Sequence, residues 1–73
     1  MTEVEKITKE LLGEIPVGKE VEFCLPDVRR VRNGQAFVLK VNRFREFEDR
    51  TFSTRTEPEN RILAITALRR EEA

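Results

Sequence analysis

The sequence predicts an α+β fold: an N-terminal amphipathic helix, a short strand, a central helix and a C-terminal β-hairpin. That order also fits a reduced winged-helix-like arrangement. Three observations lead there. Apolar residues near the start recur at helical spacing, Val21 and Phe23 alternate with Glu20, Glu22 and Cys24, and a threonine-rich stretch turns at Pro58-Glu59-Asn60 into an apolar run.

The first helix is expected over residues 1–13. Thr2 followed by Glu5 has the capping-box spacing, Glu3 and Glu5 suit the positive end of a helix, and Gly13 stands where one would stop. Val4, Ile7, Leu11 and Leu12 form a narrow apolar stripe. Such a stripe either docks on the protein's own core or, with its flanking carboxylates Glu3, Glu10 and Glu14, serves as a partner-binding segment. After the turn-rich Ile15-Pro16-Val17-Gly18, the alternation at Val21 and Phe23 marks a strand that Pro26-Asp27 interrupts. Val28 to Gly34 reads as a helical turn or a loop, because Asn33-Gly34 is both a helix stop and a turn signal.

Gln35 to Asp49 carries two periodicities. Phe37, Leu39 and Val41 alternate as in a strand, whereas Phe37, Val41, Phe44 and Glu48 fall at helical spacing. Only the helical pattern continues past Val41, so a helix is expected, with Lys40, Arg43 and Arg45 on its outer side. Arg50 to Glu57 (RTFSTRTE) and Arg61 to Leu68 (RILAITAL) then form the hairpin, and residues 69–73 read as a frayed charged tail.

A chain of 73 residues makes one domain, near the lower size at which a single core suffices. Expected core residues are Ile7, Leu11, Leu12, Val17, Val21, Phe23, Leu25, Phe37, Leu39, Val41, Phe44, Phe47, Phe52, Ile62, Ala64, Ile65 and Leu68. The longest apolar runs are too short to span a bilayer, and the first residues lack a signal-peptide pattern, so the expected location is cytoplasmic with no membrane partner. Cys24 is the only cysteine, which excludes an internal disulfide and leaves a buried small side chain as its expected role. No histidine is present, and that removes most acid–base, nucleophilic-pair and metal designs together. The one dense acidic cluster, Glu46, Glu48 and Asp49, lies among Arg43, Arg45 and Arg50 and reads as a solvated helix end. The expectation is a binding protein, not an enzyme, with no cofactor, metal or small-molecule substrate.

The net charge of zero hides a division. Residues 1–27 carry −4, residues 28–55 carry +5, and the remainder carries −1. Arg29, Arg30, Arg32, Lys40, Arg43, Arg45, Arg50 and Arg55 supply the central excess. Arginine's planar fork suits phosphates, so these eight are the candidate nucleic-acid contacts, with duplex DNA as the candidate ligand. The competing reading is a solubilising face paired with nearby carboxylates.

Residues from about Pro16 to Leu68 resemble a class of small phage proteins, through IPVGKEVEF, a helix with scattered cations, and the TFSTRTE strand turning into a short apolar strand. That class usually ends its last strand with an aromatic pair, where this chain has Thr66-Ala67-Leu68-Arg69. Length, acidic start and basic middle are similar to the phage transcription regulators that bind bacterial RNA polymerase. The resemblance implies attachment to a polymerase subunit, inhibition of initiation and antitermination. On that reading Val4, Ile7 and Leu11 with Glu3, Glu10 and Glu14 meet the polymerase, and a chain lacking residues 1–12 loses the partner yet stays folded. The alternative is direct DNA binding by the central helix with the hairpin as a wing.

Overall fold

A computed structural model describes residues 2–70 of the protein. The elements are β1 (Thr2–Glu3), α1 (Lys9–Glu14), β2 (Glu20–Cys24), α2 (Val28–Arg43), β3 (Arg50–Glu57), a 3-10 turn (Pro58–Asn60) and β4 (Ile62–Arg69). The fold is α+β, as the sequence predicts.

The strands form one sheet in the order β1-β2-β4-β3. β4 pairs antiparallel with both β2 and β3, so β2 and β3 run parallel with β4 between them, and β2–α2–β3 is a split β-α-β unit. The hairpin turn is where the sequence places it. Pro58 opens the 3-10 turn, and Arg61 closes it in a left-handed conformation, φ 57°. Of the hairpin, β4 lies inside the sheet and β3 forms its edge.

Leu63, Ile65 and Ala67 alternate along β4 and share one face with their cross-strand partners Phe23, Val21 and Phe52. That face meets Val31, Val38 and Val41 of α2 together with Ile7, Leu12 and Ile15 in one core. Gly34 lies inside α2, where glycine costs about 1 kcal/mol against alanine. A Cβ there would sit 2.9 Å from Ile7 Cγ1 and 2.9 Å from Leu63 Cδ2, so the glycine is what lets the helix approach the sheet. Asn33-Gly34 is therefore not a stop: one 16-residue helix runs from Val28 through to Arg43, capped by Asp27, whose carboxylate accepts from the Arg30 amide. It does not extend to Asp49.

The start of the chain departs from expectation in a similar way. Thr2 and Glu3 pair parallel with Phe23 and Cys24, covering part of the β2 edge, and the Val4 amide continues the ladder by donating to the Cys24 carbonyl at 3.0 Å. Thr8, not Thr2, is the N-cap of α1, its hydroxyl accepting from the Leu11 amide. At the other end, Arg69 belongs to β4 and Arg70 is held by its amide donating to the Asp49 carbonyl, so only residues 71–73 of the expected tail lie outside the described residues. Leu39, Phe44, Val17 and Leu68, expected in the core, are exposed, whereas Ile15, Val31, Val38, Leu63 and Ala67 belong to it. Cys24 is half-buried. Among the described residues no helix is long and apolar enough to cross a membrane.

Candidate nucleic-acid interface

The phase of α2 decides which arginines face outward. With Val31, Gly34, Val38 and Val41 turned to the sheet, the opposite side carries Arg29, Arg32, Ala36, Lys40 and Arg43, all exposed. At about 100° per residue these positions fall within roughly 80° of arc, a single stripe along the helix. Between Asp27 and Glu46 there are six cations and no carboxylate. The side chains of Arg29, Arg32, Lys40 and Arg43 make no ion pair among the described residues, so the stripe is uncompensated by its own surroundings.

The end of α2 places one more cation and an aromatic residue beyond the stripe. Phe44 is the C-cap, and Arg45 follows in the left-handed region at φ 51°. The Arg45 amide donates to the Asn42 carbonyl at 3.2 Å and the Glu46 amide to the Val41 carbonyl at 3.1 Å, the paired bonds of a Schellman motif. This motif fixes a tight turn that leaves Phe44 67% exposed. Leu39, 59% exposed, adds a second apolar group beside Lys40 and Arg43, and a shallow hollow runs between Ala36, Leu39, Lys40, Asn42 and Arg43.

The remaining candidate cations are committed elsewhere. Arg30 donates to the Glu5 carbonyl at 2.8 Å. Arg50, with only 17% of its side chain exposed, donates to the carbonyls of Ile15 and Gly13 and pairs with Asp49. Arg55 lies on the opposite face of the sheet. There it arches over Ala64, its cross-strand neighbour, to reach Glu22 at 3.2 Å and Glu20 at 3.4 Å on β2, and it also pairs with Glu57 at 2.6 Å. The small Ala64 side chain is what permits this reach. The hydrogen bond to Glu57, then those of Glu20, hold the Arg55 guanidinium even more firmly protonated than usual. Four of the eight candidates, Arg29, Arg32, Lys40 and Arg43, thus share one helix face with Arg45 exposed just beyond its end, while Arg30, Arg50 and Arg55 do not join them.

The expected partner-binding stripe is not a free surface. Ile7 is buried, and Val4 and Leu11 are half-buried against the core, so the stripe docks on its own protein; Glu3, Glu10 and Glu14 are exposed. Nor is the acidic cluster one site. Glu46 pairs with Lys9 at 3.4 Å, while the hydrogen bond from Arg50 holds the Asp49 carboxyl below its ordinary range. Leu39 and Phe44 were hidden among the core candidates, and only the helix register separates them from it.

No protein-family model, curated protein or solved structure matches this chain.

Proposed function

We propose that this chain is a non-catalytic nucleic-acid-binding protein that works with the outer face of α2. The observation carrying the reading is the stripe Arg29, Arg32, Lys40 and Arg43, with Arg45 just beyond its end and no carboxylate between Asp27 and Glu46. Such a face neutralises backbone phosphates and releases their counterions, which makes affinity fall steeply with salt. Neutral net charge does not oppose this, because four of the compensating carboxylates, Glu3, Glu20, Glu22 and Glu57, lie on the sheet face away from the helices.

The test is the salt dependence of oligonucleotide binding, measured by fluorescence anisotropy. Alanine at Arg29, Arg32, Lys40 or Arg43 flattens the slope of log K against log salt by about 0.7–0.9 each. Arg55→Ala leaves it unchanged. Absence of binding to either single-stranded or duplex DNA at low ionic strength overturns the proposal.

A second reading is favoured by the segregation of charge. On the sheet face away from the helices, Glu3, Glu20, Glu22 and Glu57 outnumber Arg55, and Glu10 and Glu14 are also exposed. A protein with unlike faces suits a phage-type regulator that attaches to a bacterial RNA polymerase subunit in the host cytoplasm, inhibiting initiation or acting in antitermination, while α2 touches nucleic acid. Its contacts are then Glu10 and Glu14 rather than Ile7. Charge reversal at both that leaves co-purification with bacterial RNA polymerase intact removes this version.

A further inference from the structure

Phe44 is the largest exposed apolar side chain on the basic face, and it gives nothing to the core. It stands within a run of cations: Lys40 one turn earlier, Arg43 before it and Arg45 after it. A helix C-terminus carries only about half a negative charge. Three cations therefore exceed what the end of α2 needs for its own dipole. Leu39 and the hollow beside Lys40 and Arg43 lie on the other flank of the basic stripe and are not part of this surface.

The chain meets two costs to keep this arrangement. One is a phenylalanine in water at a C-cap, where a polar residue would serve. The other is Arg45 in the left-handed region, where glycine fits without penalty and arginine does not. The Schellman hydrogen bonds, together with the Phe44 amide donating to the Lys40 carbonyl at 2.9 Å, hold both residues in fixed positions rather than on a loose loop.

We infer that the C-terminal end of α2 is a base-stacking site for single-stranded nucleic acid, with Phe44 against an unpaired base and Lys40, Arg43 and Arg45 on the flanking phosphates. This inference rests on the nucleic-acid reading above and narrows it to a strand class. A duplex keeps its base faces inside the stack, so the aromatic ring has nothing to stack on there; an unpaired strand presents a base face at every nucleotide, and stacking is tolerant of sequence. Aromatic ring and cations on one rigid surface are the combination such recognition requires.

The experiment compares a labelled oligothymidylate of about 16 nucleotides with a duplex of the same length, by anisotropy over a salt series. Phe44→Ala weakens the single strand about 5–140-fold, leaves the duplex unchanged and does not alter the salt slope. Phe44→Trp retains affinity, and its emission is quenched when the oligonucleotide is added. Thermal unfolding of both variants matches the parent, since the ring is outside the core. Single-strand affinity unaffected by Phe44→Ala overturns the stacking site, as does equal loss on both ligands, and either result leaves the nucleic-acid reading standing. If the parent protein binds neither oligonucleotide, both proposals fall.

Discussion

The side-chain amide of Asn42 hydrogen-bonds both backbone groups of Phe52, donating to its carbonyl at 2.8 Å and accepting from its amide at 3.0 Å. Those groups point away from β4, because Asn42 reaches them from the other side. Asn42 thereby imitates a neighbouring strand on the open edge of β3 and fixes the last turn of α2 to the sheet.

Asn42→Ala removes both bonds and leaves a part-buried amide and carbonyl without partners, which costs about 1–3 kcal/mol. Asn42→Asp keeps an acceptor for the amide but sets a carboxylate against the Phe52 carbonyl, so it is no better tolerated. Urea unfolding at unchanged m-value reads both. Full stability of Asn42→Ala would show that the docking of α2 on β3 does not depend on this pair.

Gly34→Ala sets two magnitudes in opposition. Helix propensity favours alanine by about 1 kcal/mol, whereas overpacking a filled site typically costs about 1–3 kcal/mol. Both contacts lie at 2.9 Å and both partners are buried, so the clash wins and the variant is destabilised. In an Ile7→Ala background the methyl group finds room, and the same substitution costs less. Additive unfolding energies across this double-mutant cycle would refute the packing account.

Residues 2–12 are part of the fold and not a detachable partner segment. Ile7 and Leu12 are 6% and 0% exposed, and Leu12→Ala alone should cost about 2–5 kcal/mol. A domain of this size has roughly 4–11 kcal/mol in total. A chain lacking residues 1–12 therefore shows no cooperative unfolding transition by circular dichroism. A cooperative transition in that chain would mean that the remaining elements close the core without Ile7 and Leu12.

The hairpin was legible because alternation, threonine content and Pro58 agree, and none of them depends on distant residues. The helix α2 was half legible. Gly34 signals a stop locally, and only the approach of Ile7 and Leu63 reveals it as a packing glycine. Without the first half of α2 to set its phase, Phe44 fell on the expected core stripe, although Val31, Gly34, Val38 and Val41 already carry a helical spacing of their own. The arginine-rich character of the site was visible in the sequence. Which arginines act together was not, since Arg50 is drawn to the Gly13 and Ile15 carbonyls and Arg55 to carboxylates of β2, contacts that no linear spacing encodes.

Arg45→Gly separates folding from binding. Arg45 occupies the C′ position of the Schellman motif at φ 51°, and its guanidinium makes no ion pair among the described residues. Glycine relieves the left-handed penalty there, and the gain in unfolding free energy is about 0.5–1 kcal/mol after its greater freedom in the unfolded chain is counted. The same substitution removes one phosphate contact, so the oligonucleotide salt slope falls by about 0.7 and affinity weakens. Arg45→Ala is the control: it loses the same contact and keeps the backbone penalty, so it binds like the glycine variant but gains no comparable stability. A glycine variant that is both more stable and fully competent in binding would mean that Arg45 is retained for neither purpose, and would remove it from the interface.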